Sequence, residues 1–143
     1  MSMPRIFACS LLLLLGACVK ALPAADPAKA WVDLYTIAGN QLSANELDGL
    51  DWSEGRFFEV KPGKHRLQVR LQFEVSGGGG GRHHNGGGGG IRTCMLALDY
   101  GNFEAGKKYL LKAGTVSRRG WLRLYDEHGN VLSRGKQLRC GAF

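Results

Sequence analysis

Arg66-Leu67-Gln68-Val69-Arg70-Leu71-Gln72-Phe73-Glu74-Val75 alternates without a break. Leu67, Val69, Leu71, Phe73 and Val75 share one parity, and Arg66, Gln68, Arg70, Gln72 and Glu74 share the other. Side chains alternate faces along a strand, whereas a helix would scatter these apolar residues around its whole circumference. The stretch predicts a β-strand with one buried and one wetted face. Just before it, Lys61-Pro62-Gly63-Lys64 has type II turn chemistry: proline presets φ at the second position and glycine accepts positive φ at the third.

Working outward, Ala30 to Ile37 and Arg56 to Val60 are rich in aromatic and β-branched residues and read as strands. Ser43-Ala44-Asn45-Glu46 has capping-box spacing, but Gly49 follows so soon that it supports no more than a short helical turn. Ile91 to Tyr100 is apolar on both parities from Thr93 to Leu98, which suits a mid-sheet strand covered on both faces. Gly101-Asn102 and Glu104-Ala105-Gly106-Lys107 read as turns. Tyr109, Leu111 and Ala113 then alternate with Lys108, Leu110 and Lys112. Trp121 to Tyr125, Val131 to Ser133 and Gln137 to Cys140 complete the strands, with Asp126-Glu127-His128-Gly129-Asn130 as a polar connection. Seven or eight short strands without a credible long helix predict an all-β fold, an antiparallel β-sandwich. Helical crossovers for a parallel sheet are missing.

The chain has 143 residues, 22% charged and 44% hydrophobic, which suits one globular domain and excludes a multidomain enzyme or a multi-span membrane protein. Of its 22 glycines, ten fall between Gly77 and Gly90, so the excess marks one low-complexity segment and not a fibrous protein. That segment, 77–90, is expected to be a flexible loop. It lacks the Gly-Lys-Ser/Thr and the following helix that a phosphate-cradling loop needs, which argues against nucleotide binding.

The N-terminus places Arg5 ahead of an apolar run from Ile6 to Ala17, the layout of a secretory leader and too short to span a bilayer. Its end, Leu15-Gly16-Ala17-Cys18, resembles the lipobox of bacterial lipoproteins. The resemblance implies a signal peptide over 1–17, acylation of Cys18 (palmitate among its chains), and a tether over 18–29 that carries a domain over 30–143. Val19 and Lys20 follow the cysteine where an aspartate would retain the protein at the inner membrane, so the outer membrane, facing the periplasm, is the expected address. Of four cysteines, Cys9 leaves with the leader and Cys18 carries lipid. Cys94 and Cys140 remain in an oxidising compartment and are expected to form a disulfide, which the chain-entropy account values at roughly 4 kcal/mol at most. The competing reading of metal-binding or redox thiols lacks a Cys-x-x-Cys.

Val60-Lys61-Pro62-Gly63-Lys64-His65-Arg66-Leu67-Gln68-Val69 resembles the "PGxHxLxV" hairpin of PEGA-like small β-domains. Phe103 to Leu110 and Leu124 to Asn130 are similar to segments of proteobacterial lipoproteins of uncharacterised role that share this hairpin. The resemblance covers less than half of the chain beyond the leader and implies an Ig-like or PEGA-like sandwich in a cell-envelope protein. The glycine-rich insertion departs from the compact hairpins expected there.

No nucleophile elbow, metalloprotease helix or other catalytic set is present, and no enzyme or cofactor is expected. His83 and His84 are candidate zinc or copper ligands, although two adjacent imidazoles on a loop fall short of the three or four ligands a site wants. His65 shares parity with Leu67 and is expected to be a half-buried structural residue. The formal net charge is +7. Arg119, Trp121, Arg123 and Tyr125 share one strand face, with Arg118 adjacent and Leu122 and Leu124 turned to the core. Arginines interleaved with aromatics suit an anionic or sugar-bearing surface through charge and stacking. The expected function is a non-enzymatic envelope lipoprotein that binds or assembles. Its partners would be the membrane through the anchor and an envelope protein or anionic envelope polymer, with no nucleic acid. The alternative is a periplasmic metal-binding protein using His83 and His84.

Overall fold

The computed structural model describes residues 20–76 and 89–141. The leader, Cys18, His83, His84 and most of the glycine-rich segment lie outside the described residues. Ten strands are present among the described residues. They are β1 (Ala30–Tyr35), β2 (Gln41–Leu47), β3 (Leu50–Asp51), β4 (Phe57–Val60), β5 (Gly63–Val75), β6 (Gly90–Phe103), β7 (Lys108–Val116), β8 (Arg119–Tyr125), β9 (Val131–Arg134) and β10 (Lys136–Gly141). No helix of the described residues is long and apolar enough to cross a membrane.

The first sheet has the order β4-β1-β7-β8-β9 and the second β10-β6-β5-β2-β3. In β5, Leu67, Val69 and Leu71 are wholly buried and stand opposite Leu98, Leu96 and Cys94 of β6. They pack in one core with Val32, Phe58, Val60, Leu111, Leu122 and Leu124 of the first sheet, making a two-layer β-sandwich. Each fully buried leucine contributes about 1.5–3 kcal/mol relative to exposure. The apolar parity of Arg66–Val75 is thus part of the seam between the layers.

Residues 93–98 of β6 are buried on both parities, as the sequence predicts for a mid-sheet strand. Only one parity meets the other sheet, however. Thr93, Met95 and Ala97 face outward, in register with Gln72, Arg70 and Gln68 of β5, so long polar side chains flank them and no further layer is needed.

Four readings are corrected. Ser43–Glu46 belongs to β2, because Leu42, Ala44 and Leu47 stand opposite Leu71, Val69 and Leu67, and this pairing outweighs a local capping signal. With β3, β2 raises the strand count above the seven or eight expected. Gly101-Asn102 lies inside β6, where the ladder shifts and two β6 residues face one of β5. Glycine and asparagine marked broken pairing there, a bulge instead of a reversal. The strands flanking Pro62-Gly63 lie in different sheets, so this turn is a corner between layers, with Gly63 at φ +112°. Finally, β1 and β7 pair in parallel, while every other ladder among the described residues is antiparallel. A parallel neighbour needs a long return. Here the return runs through β2 and β3 of the second sheet, β4 of the first, and β5 and β6 of the second, so no helix announces it.

A second corner joins β9 to β10 at Gly135. Its N–H donates to the Leu122 carbonyl at 2.8 Å, and a Cβ there would stand 2.6 Å from the Ala97 carbonyl oxygen. Only hydrogen fits at this crossing. The Cys94–Cys140 disulfide is present and joins directly opposed residues of β6 and β10, tying down an edge strand.

Candidate binding face

The outer face of the first sheet collects the residues singled out on β8. Leu122 and Leu124 point to the core, so Arg119, Trp121, Arg123 and Tyr125 point away from it. The ladder sets their neighbours: Gly114 lies opposite Trp121, Lys112 opposite Arg123, and Leu110 opposite Tyr125. Tyr35 stands across from Lys112 on the other side, and Arg134 across from Arg123.

Trp121 is seated on the bare backbone of Gly114. A Cβ at that glycine would lie 2.8 Å from indole Cζ2 and 2.9 Å from Cε2, so the ring covers the place where a side chain would stand. The Arg123 guanidinium sits 5.1 Å from the Trp121 ring centroid. The Lys112 ammonium lies between two tyrosines, 4.8 Å from the Tyr125 ring and 5.6 Å from the Tyr35 ring. Such contacts contribute about 0.5–1 kcal/mol at exposed sites. Among the described residues neither Lys112 nor Arg123 forms an ion pair. The acidic groups of the same sheet are engaged elsewhere: Asp33 accepts from Trp31 Nε1 at 2.6 Å, and Glu59 pairs with Lys29 at 3.0 Å. Hydrogen bonding to Glu59 and its charge raise the Lys29 pKa.

Trp121, Arg123 and Tyr125 are therefore brought together, while Arg119 lies at the hairpin end opposite Val116. Sequence reasoning missed Tyr35, Lys112, Gly114 and Arg134. The outward parity of Lys112 was readable, but its place beside β8 and β1 depends on strand order. Gly114 gave no signal beyond being a glycine in a strand, which often marks a close approach.

The histidines form no such group. His65 Nδ1 lies 2.6 Å from Asp48 Oδ2 and the ring is mostly buried, matching the half-buried residue expected from its parity. Burial raises the Asp48 pKa, but the Arg66 N–H and the His65 ring outweigh it and hold the carboxyl below the ordinary carboxylate range. His128 is exposed in the β8–β9 turn, where its N–H donates to Asp126 Oδ1 at 2.9 Å. Among the described residues no three histidine, cysteine or acidic side chains are grouped to hold a metal.

No family model matches the chain, and no curated protein or solved structure is similar to it.

Proposed function

We propose that this chain is a non-enzymatic lipoprotein of the bacterial envelope, anchored through Cys18, whose first-sheet outer face binds an anionic envelope polymer. The lipobox-like Leu15-Gly16-Ala17-Cys18 supports the anchor, and Val19 and Lys20 in place of an aspartate support the outer-membrane address; the two-layer sandwich is in keeping with a PEGA-like domain, whereas the Pro62-Gly63 turn crosses between sheets and closes no hairpin. One observation carries the binding role: Arg123 over Trp121, and Lys112 between Tyr35 and Tyr125, on a face where neither cation is ion-paired. An aromatic ring positions a cation without neutralising it, so the charge stays available to an anion. The rings themselves offer flat apolar surface on which a sugar can stack.

The test is titration of the purified protein with the delipidated polysaccharide of lipopolysaccharide, with neutral dextran as control, followed by tryptophan fluorescence. The charged polysaccharide should bind and dextran should not. Trp121→Ala and Arg123→Ala should each weaken binding about tenfold, equivalent to ~1.4 kcal/mol. Equal affinity of parent and both variants would remove the reading.

A further inference from the structure

The start of the described chain and several of its most exposed apolar side chains lie at one end of the sandwich. Arg56 Nη1 donates to the Lys20 carbonyl at 2.9 Å, and the Asp26 N–H approaches Glu59 Oε2 at 3.5 Å, so residues 20–26 run beside β4 with Lys20 at its beginning. In the antiparallel β1–β4 ladder Phe57 stands opposite Asp33, which puts Arg56 toward the end where β1 finishes. In the parallel β1–β7 ladder Tyr35 stands opposite Lys112, so β7 finishes at that end as well.

The tip is mainly apolar and basic: of the acids at this end, Glu54 is paired with Arg56 at 2.7 Å, and Glu74 is exposed on the second sheet. Leu22, Ile37 and Val116 are 55%, 60% and 67% exposed. Lys20, Arg118 and Arg119 are exposed beside them. Ser117 and Arg118 form the two-residue β7–β8 turn with φ of 49° and 65°, a left-handed conformation that favours asparagine and glycine. The turn thus keeps an arginine at the apex against its backbone preference. At the opposite end Asp48, Glu104, Asp126 and Glu127 are mixed with Lys61, Lys64, Lys107 and Lys108.

We infer that the tip built from Leu22, Ile37, Val116 and the Ser117-Arg118 turn rests on an anionic lipid surface. This deepens the anchoring reading and rests on it: Cys18 precedes Lys20 by two residues, a reach of only ~7 Å. While the Arg56 hydrogen bond holds Lys20 beside β4, only two residues of the tether expected over 18–29 separate it from the anchor, and this end lies nearer the headgroups than the opposite one. Exposed apolar side chains enter the headgroup boundary while lysine and arginine meet anionic headgroups.

The experiment uses the full acylated protein reconstituted into phosphatidylethanolamine–phosphatidylglycerol vesicles with brominated acyl chains. Val116→Trp reports on the tip, and Leu50→Trp reports on the far end, since Leu50 follows the β2–β3 turn and is 74% exposed. The emission added by Val116→Trp should fall at least twofold on reconstitution, and that added by Leu50→Trp should not change. Adding Ser117→Asn with Arg118→Gly to Val116→Trp should weaken the quenching while raising the melting temperature, which a purely structural role for the turn would not produce. Equal quenching at the two ends, or none at Val116→Trp in a protein whose intact mass includes acyl chains, overturns this inference alone. An intact mass without acyl chains overturns the anchoring reading and this inference with it.

Discussion

The two outer faces of the sandwich use similar side chains to opposite ends. On the second sheet, polar groups are matched to one another. Arg66 pairs with Asp99 at 3.3 Å, Gln68 Nε2 donates to Glu46 at 2.9 Å, Arg70 donates to Asn45 at 3.1 Å, and Gln72 donates to Thr93 at 3.2 Å. On the first sheet, Arg123 and Lys112 face aromatic rings and no carboxylate partner. A face whose polar groups satisfy each other presents little to a ligand, because a newcomer must displace bonds already made. A face of cations held by rings offers charge and flat apolar area together. What each arginine touches, more than how many a surface carries, decides whether that surface can bind.

Substitutions on the second sheet should move stability, and substitutions on the first should move binding. The largest effect is expected from Cys94→Ser with Cys140→Ser, which frees the edge strand β10 of the second sheet. A loss of about 2–4 kcal/mol in urea unfolding is expected, with polysaccharide affinity unchanged well below the melting point. A parallel loss of affinity would mean that the two faces are not independent.

Next is Gly114→Ala, which pushes the Trp121 ring off its seat. Overpacking costs about 1–3 kcal/mol, and polysaccharide affinity should drop about tenfold. Unchanged affinity would show that the seat of Trp121 is irrelevant to binding.

Smaller still is Arg66→Ala. The pair it breaks is exposed, so urea unfolding should shift by roughly 0.2–1 kcal/mol and polysaccharide affinity should stay constant. If this substitution weakened binding as much as Arg123→Ala, the contrast between the faces would collapse.

The smallest effect concerns pH. The Asp48 carboxyl, at the turn beside Arg66, has a folded pKa below its ordinary value. The stabilisation it brings is complete above the unfolded pKa of about 3.9 and is lost as pH falls through the folded value. Glu54, held down to about 2 by its hydrogen bond to Arg56, acts in the same sense. Thermal unfolding of the parent should therefore weaken between pH 4 and 2, and Asp48→Asn should flatten part of that slope. An unchanged slope would mean that the Asp48 contacts contribute nothing measurable.

Much of the fold was legible residue by residue. The alternation from Arg66 to Val75 shows which side chains are buried, because a strand has a strict two-residue period. The outward parity of Arg119, Trp121, Arg123 and Tyr125 was equally readable. Ser43–Glu46 and Gly101-Asn102 misled for a shared reason: capping and turn signals are local, and pairing with β5, along Ser43–Glu46 and on both sides of the Gly101-Asn102 bulge, overrode them. In the candidate site, Tyr35 was out of reach because β1 lies far from β8 in sequence, whereas Lys112 is one tight turn from β8 and went unplaced because Ser117-Arg118 lacks the glycine or asparagine that marks a two-residue hairpin.

Residue patterns alone determined the all-β class, the buried parity of β5, β7 and β8, the pairing of Cys94 with Cys140 and the basic, aromatic character of β8. Tertiary structure alone decided that β1 runs parallel to β7, that Gly135 and Gly63 turn the chain between layers, and that Trp121 rests on Gly114. The division has a physical cause. Side-chain alternation and turn chemistry act within a few residues, whereas strand order and close backbone approaches depend on which distant surfaces best fill one shared core.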